Sequence, residues 1–370
     1  MDVLVRYSEI SKKKGKTRQQ LVQALRQRIQ DKLDFEELQY NKVSVRPGRI
    51  FIFNTSREAA EALKFLPGVK SCSPTEKVEA EIDTIKEKLP EVDGSFGARV
   101  NTRDTDYSSE ELEREFGSVI QEKTGSDVDL ENPDTWVKVE ISKDQAHIFT
   151  ETFEGLGGLP AATQGEFIAL ISGGIDSPVA AYQMMKRGTD IVPIYFYNRP
   201  YAAEDHLMRF EKAVEKLREV NPSKKWRYYV VDMKEVNRAL EEIESGRMVL
   251  HRRLMFEAAD KIRAERGFDG VVTGESISQK SSQTPQNLST TSQGLNIFRP
   301  LLTWNKDEIT EKAREIGTFQ YSKIDSACKS ISPGSPSTNM SSEELEALKE
   351  KVGFEALLQD LVESAEIREI

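Results

Sequence analysis

Six consecutive residues, Ser172-Gly173-Gly174-Ile175-Asp176-Ser177, carry the clearest chemical signal in the chain. Two adjacent glycines let a backbone turn sharply and approach a ligand closely. An apolar run from Phe167 to Ile171 precedes them, and Pro178 follows where a first helical turn would lose nothing by its missing N–H. A strand that ends in such a turn and enters a helix leaves amide N–H groups aimed outward, and the helix dipole strengthens their hold on an anion. The expected ligand is therefore a phosphate chain. The turn is not a Walker A loop, because no Gly-x-x-x-x-Gly-Lys-Ser/Thr stands here. Asp176 is able to cap the helix. A role at a Mg²⁺–pyrophosphate end fits better, since a carboxylate beside phosphates needs a metal to offset repulsion.

The elements that must position this turn follow from periodicity. Strands at 167–171, 191–196, 227–231 and 270–273 alternate with helices beginning near 176 and spanning 203–219 and 248–265. That alternation predicts an α/β doubly wound parallel sheet, with ligands past the carboxyl ends of its strands. Ahead of it, residues 1–76 read as a strand (3–7), a helix (17–33), a hairpin (43–45 with 49–53) and a helix (56–66). Leu21, Leu25, Ile29 and Leu33 share one helical face, and Pro47-Gly48 supplies the hairpin turn. The order suggests a ferredoxin-like α+β domain. Residues 77–155 read as a second α/β unit: helix 80–89, strand 95–101, helix 109–123 behind the cap signal Ser108-Ser109-Glu110-Glu111, and strands 136–141 and 146–151. The glycine-rich stretch 155–160 is expected to be a linker, so the third domain spans 156–370.

Composition narrows the class. With 370 residues, 38% of them hydrophobic, the chain is long enough for several domains. No run approaches the roughly 20 apolar residues of a membrane span, and no signal peptide is expected. Cys72 and Cys328 are too few for a disulfide framework, and His147, His206 and His251 show no metal-ligand spacing. A reducing, cytoplasmic compartment is the expectation. The net charge is −10, yet residues 1–50 carry twelve Lys/Arg against six Asp/Glu, so the remainder sums to −16. A basic front end on an acidic protein can grip RNA, although charge alone favours a solvated helix face.

The turn resembles the pyrophosphate loop of N-type ATP pyrophosphatases. More specifically, the chain resembles the ThiI family of tRNA uridine 4-sulfurtransferases (tRNA 4-thiouridine synthetases). The matching runs are Gly157-Gly158-Leu159-Pro160, residues 170–181, Met185-Lys186-Arg187-Gly188, Asn198-Arg199-Pro200-Tyr201, Arg252-Arg253 and Thr273-Gly274-Glu275-Ser276. Ser282-Gln283-Thr284, Arg299-Pro300-Leu301, Lys306 and Ile316-Gly317-Thr318 continue the series, while Ser8-Glu9-Ile10 and Lys14-Gly15-Lys16-Thr17-Arg18 match at the front.

The resemblance implies ATP-dependent thiolation of uridine 8 in tRNA to 4-thiouridine, with a THUMP RNA-binding domain in the middle. The uridine O4 would attack the α-phosphate of ATP, and sulfur would then displace AMP. Ser172, Gly173, Gly174 and Ser177 would hold the phosphates. Leu170, Ile171, Tyr195 and Phe196 would line the adenosine pocket, and Arg252, Gly274 and Gln283 would complete the ATP site, with Mg²⁺ as companion ion. Tyr195 departs from the histidine common in relatives, at a position read as acting through its backbone. Asp176, Lys306 and Cys328 would be catalytic, and Glu275 and Ser276 are placed as metal or substrate contacts. Lys14, Lys16, Arg18, Arg46, Arg99, Arg103 and Lys138 would touch tRNA, with the base delivered to the catalytic domain of the same or a second subunit in a possible homodimer.

Cys328 lies in a run that aligns with the family's cysteine segment, and Lys329 beside it would favour the thiolate. A small buried hydrophobe is the lesser alternative reading. After Thr338 only an acidic helical tail is expected, without the rhodanese domain of longer members, and no Cys-x-x-Cys is available for an iron–sulfur cluster. Sulfur is therefore expected from outside, as sulfide or as a persulfide on a donor such as a cysteine desulfurase. Rival readings are another tRNA-modifying enzyme of the same loop class (a 2-thiouridylase or lysidine synthetase) and a non-catalytic tRNA-binding protein. The basic front domains argue against a small-molecule substrate.

Overall fold

A computed structural model describes residues 1–103, 105–222, 226–323 and 337–370. They form two units, Met1–Leu159 and Pro160–Ile370.

The first unit is organised by one strand. In chain order its elements are β1 (Asp2–Arg6), α1 (Gly15–Phe35), β2 (Lys42–Arg46), β3 (Arg49–Phe53), α2 (Arg57–Leu63), β4 (Ser71–Glu79), α3 (Ile82–Lys88), β5 (Phe96–Thr102), α4 (Ser109–Thr124), β6 (Thr135–Ser142), β7 (Gln145–Phe149) and β8 (Phe153–Glu154). They build a continuous sheet of order β2-β3-β1-β4-β7-β6-β5, with β8 also on β4. The sequence reading had no strand at 71–79, yet β4 is what joins the two halves. Its Cys72 pairs with Val5 of β1, and its Lys77 pairs with His147 of β7.

Side-chain alternation then sets the faces. Val3, Val5, Ile50, Ile52 and Cys72 pack against Leu21, Leu25, Ile29 and Leu33 of α1, as the helical spacing requires. Val78, Phe96, Val137, Val139 and Ile148 pack against Leu112, Phe116 and Ile120 of α4. Each such side chain, fully buried, contributes roughly 1.5–3 kcal/mol. Helix α4 is bounded as its sequence signals: Ser108 Oγ accepts from the Glu111 amide, and Gly125 closes the helix at φ +69°. The opposite face of the sheet carries the smaller cluster of Leu4, Phe51 and Phe149.

The second unit contains β9 (Glu166–Leu170), α5 (Asp176–Lys186), β10 (Asp190–Tyr197), α6 (Glu204–Val220), β11 (Arg227–Asp232), α7 (Lys234–Ala239), α8 (Arg247–Arg266), β12 (Gly270–Val272), α9 (Pro285–Ser292), β13 (Ile297–Phe298), α10 (Lys306–Glu315), α11 (Phe319–Ser322), α12 (Ser342–Val352), α13 (Phe354–Glu363) and β14 (Glu366–Glu369). Its sheet has the order β13-β12-β9-β10-β11-β14. All neighbouring pairs are parallel except β11 with β14, which is antiparallel. This is the expected doubly wound arrangement. The chain runs from β9 outward to β10 and β11, then returns to the other side of β9 as β12. The order therefore reverses between β9 and β12, and ligand crevices open at such a switch point. The acidic tail was expected to be wholly helical, but Glu366–Glu369 adds a strand to the sheet edge. Among the described residues, no helix is long and apolar enough to cross a membrane.

Candidate active site

The glycine turn sits at that switch point. After β9, the Ile171 amide still donates to the Ile194 carbonyl of β10 at 3.0 Å. The chain then closes on itself: the Ser172 amide donates to Ser177 Oγ at 3.0 Å, and the two serine hydroxyls lie 3.3 Å apart. Gly173 takes φ +68°, and a Cβ there would stand 2.9 Å from the Phe210 amide nitrogen of α6. Helix α5 begins at Asp176 with Ile175 at its cap position, where no side chain caps it. A helix start without a side-chain cap retains its anion affinity.

Gly274 follows β12 on the other side of the switch. A Cβ on it would lie 2.8 Å from Ser177 N and Cα, so the glycine lets the β12 loop press against the turn's own backbone.

Asp176 is the carboxylate of the site. Its Oδ1 accepts from Lys306 Nζ at 2.6 Å and from Gln279 Nε2 at 3.2 Å. Lys306 opens α10, whose start is fixed by a capping box between Asn305 and Glu308. An ammonium in a first helical turn opposes the helix dipole, and Asp176 offsets that. Arg209 of α6 donates to the Gly173 carbonyl (3.4 Å) and the Ser322 carbonyl (2.8 Å). Together these groups line a cavity of about 650 Å³ beside the turn, shared with Ser276–Lys280 and Trp304.

Glu275 and Ser276, expected to reach a metal or substrate, are both engaged with protein partners. Glu275 is 3% exposed, and its two oxygens face Arg252 Nη1 at 3.1 Å and Arg299 Nε at 2.8 Å. Ser276 Oγ donates to the Trp304 carbonyl at 2.7 Å. Both residues brace the loop after β12, because a buried carboxylate takes the nearest guanidinium groups as counter-charge.

Arg252 also donates to the Ser282 carbonyl at 3.1 Å, and burial lowers its pKa against the pull of Glu275. Gln283 is buried, its amide bonded to the Lys280 carbonyl. Leu170, Ile171, Tyr195 and Phe196 stand at the ends of β9 and β10, with side chains in the core, where Tyr195 stacks on Phe210 at 4.9 Å. His251, just before Arg252, shares a 3.1 Å hydrogen bond with Asn198 Oδ1, and burial pushes its pKa down to about 4. Cys328 lies outside the described residues. Cys72 is wholly buried in β4, where burial pushes its thiol pKa up, so no reactive thiolate forms there.

The basic residues of the first unit fall into two groups. Lys14, Lys16 and Arg18 stand at or inside the first turn of α1, which carries no acid there. Arg46, Arg99 and Lys138 belong to the sheet, and Arg103 follows the end of β5. Arg99 and Lys138 are direct partners across β5 and β6. Arg99 lies over the Trp136 ring at 4.6 Å, and Arg46 over Phe51 at 5.4 Å. Arg103 is held by the Pro47 carbonyl at 2.7 Å. Glu140, which the sequence reading did not single out, binds Arg6 and Arg49, both at 2.9 Å, and ties the halves of the sheet together. Burial raises the Glu140 pKa, but the Arg49 hydrogen bond and the two charges outweigh it and hold the carboxylate low. Gln279, Arg209 and Trp304 escaped the sequence reading because they sit outside every motif run and meet the turn only through tertiary packing.

Three family descriptions match the chain in order: a ThiI ferredoxin-like domain at 2–73, a THUMP domain at 78–151, and the thiamine biosynthesis protein ThiI at 162–354. The chain is 35% identical over 350 residues to a probable tRNA sulfurtransferase of Thermococcus kodakarensis, covering 87% of this chain and 89% of that one. It is 32% identical over 397 residues to one of Halothermothrix orenii, covering 100% and 98%. Its fold is similar to the crystal structure of a 4-thiouridine synthetase–RNA complex with bound ATP, with TM-score 0.89 and 30% identity over 100% and 99% of the chains. With a glycine turn at the sheet's switch point and relatives matched along its length, the chain belongs to the ThiI family of tRNA sulfurtransferases.

Proposed function

We propose that this protein is an ATP-dependent tRNA 4-thiouridine synthetase, in which residues 1–76 and 77–155 hold the tRNA and residues 156–370 carry out the chemistry. The observation that carries the reading is the turn closed by Ser172 and Ser177, with Lys306 on Asp176 at its mouth. Such a turn suits a triphosphate, and Lys306 suits charge that develops on the α-phosphate or on the uridine oxygen. Leu170, Ile171, Tyr195 and Phe196 would meet the adenosine through their backbone, and Arg252, Gly274 and Gln283 would shape that end of the site.

In the first step uridine O4 bonds to the α-phosphorus and pyrophosphate leaves. In the second, sulfur bonds to C4 and the C4–O bond breaks, releasing AMP. Among the described residues no cluster of carboxylates or histidines forms a metal cage. A single carboxylate, Asp176, fits Mg²⁺ that arrives on the triphosphate and keeps water and phosphate as its other ligands. Sulfide supplies the sulfur atom directly. A persulfide donor would pass it through Cys328, and an external thiol would then cleave the remaining S–S bond.

For RNA, the cations at the start of α1 and the Arg99–Lys138 pair suit phosphate oxygens, which position a folded RNA without reading its sequence. A homodimer would let one subunit's RNA-binding domains serve the other's active site. Pyrophosphate release that depends on tRNA tests the reading. A protein that only binds tRNA releases none.

A further inference from the structure

The cavity beside the glycine turn is lined by charged side chains, Arg209, Lys280, Lys306 and Asp176, and also by the apolar Ile175, Ile277 and Trp304. Ile277 is 43% exposed, although the loop that carries it is firmly built. Its amide donates to the Leu302 carbonyl at 3.1 Å, and the preceding Ser276 hydroxyl donates to the Trp304 carbonyl at 2.7 Å. The Trp304 amide in turn bonds to the Leu301 carbonyl at 3.0 Å. These bonds tie the loop after β12 to the loop after β13, so Ile277 and Trp304 are held on one frame. Two residues later, Lys306 reaches Asp176. The phosphates of a nucleotide have the turn and the cations, and neither needs an indole or an exposed isoleucine.

We propose that Ile277 and Trp304 form a shelf for the unstacked pyrimidine base of the target nucleotide, holding its ring while O4 meets the α-phosphorus. The proposal rests on the functional reading above. A base drawn out of folded RNA loses its stacking partners, and an enzyme that works on it replaces them with aromatic and apolar surface. A shelf fixed by backbone hydrogen bonds offers that surface without reordering, and its place beside Lys306 brings the base edge to the reacting phosphate.

The test compares the full-length wild type with Trp304→Ala, Trp304→Phe and Ile277→Ser. Single-turnover formation of 4-thiouridine is measured with saturating ATP, tRNA and sulfide, and ATP affinity is measured without tRNA. The shelf predicts that W304A and I277S slow the reaction by about tenfold or more, that W304F restores it to within about threefold, and that ATP affinity stays within about twofold in all three. Ile277 is exposed, so I277S decides the matter if W304A fails to fold. Wild-type rates in I277S and W304A would overturn the shelf alone, and so would a loss of ATP affinity that parallels the loss of rate. A wild type that makes no 4-thiouridine would overturn the functional reading and the shelf with it.

Discussion

Lys306 Nζ stands 2.6 Å from Asp176 Oδ1, joining two helix starts that are 130 residues apart in sequence. One belongs to the glycine turn after β9, the other to the loop after β13. In the proposed reading the pair places a positive charge at the mouth of the glycine turn, where a triphosphate would compete with the carboxylate for it.

Replacing Lys306 with Gln is therefore expected to cut turnover by about 10²–10³-fold, the usual loss for a group that stabilises developing charge. Stability should change by less than ~1 kcal/mol, because Lys306 is half-exposed and its ammonium opposes the α10 dipole. Pyrophosphate release under single-turnover conditions, with urea unfolding alongside, checks both.

Gly274→Ala should damage the turn itself. The added methyl would lie 2.8 Å from Ser177 N, and backbone cannot yield there as a flexible side chain would. The expected result is a loss of ~1–3 kcal/mol in urea unfolding, with weakened ATP binding. An alanine variant with unchanged ATP affinity would show that the contact is not needed.

Two buried histidines predict how stability depends on pH. Burial holds His147 and His251 at about 4, whereas each titrates near ~6.5 in an unfolded chain. Between those values the unfolded chain binds more protons, so stability is full above pH ~6.5, falls as pH falls and levels off below about 4. Each contributes on the order of 3 kcal/mol. Urea unfolding of His251→Gln across this window should show a shallower slope than the wild type.

Glu140→Gln should weaken the first unit, because Arg6 and Arg49 would keep their charges in a largely buried setting without a counter-ion. The expected loss is ~3 kcal/mol. A double-mutant cycle with Arg49→Met should return a coupling of ~1–3 kcal/mol, and a coupling near zero would mean that the bridge contributes nothing.

Cys328→Ser should abolish turnover with a persulfide donor and spare it with excess sulfide. Equal activity of the variant with both donors would show that the thiol is dispensable.

Periodic elements were legible in the sequence. Leu21, Leu25, Ile29 and Leu33 pack as their spacing demands, and the strands before and after the glycine turn lie side by side. Strand β4 was not, because Ser71-Cys72-Ser73-Pro74-Thr75 has neither large alternating side chains nor a residue mix that favours strands. Its neighbours β1 and β7 make it a strand. On its second edge, Pro74 falls between residues 71–72, which pair with β8, and 76–79, which pair with β7. The polar β14 is likewise a strand only because β11 offers an open edge. At the site, Asp176 and Lys306 were both visible as residue types, but their contact was not. Nothing in the sequence tells that Arg252 and Arg299 converge on Glu275.

The measurement that bears most directly on this account is nucleoside mass spectrometry of tRNA incubated with the purified protein, ATP, Mg²⁺ and sulfide. The account predicts 4-thiouridine in the tRNA together with AMP and pyrophosphate in equal amounts, all lost when the tRNA is omitted. Unmodified uridine throughout, with no AMP formed from any sulfur source, would contradict it.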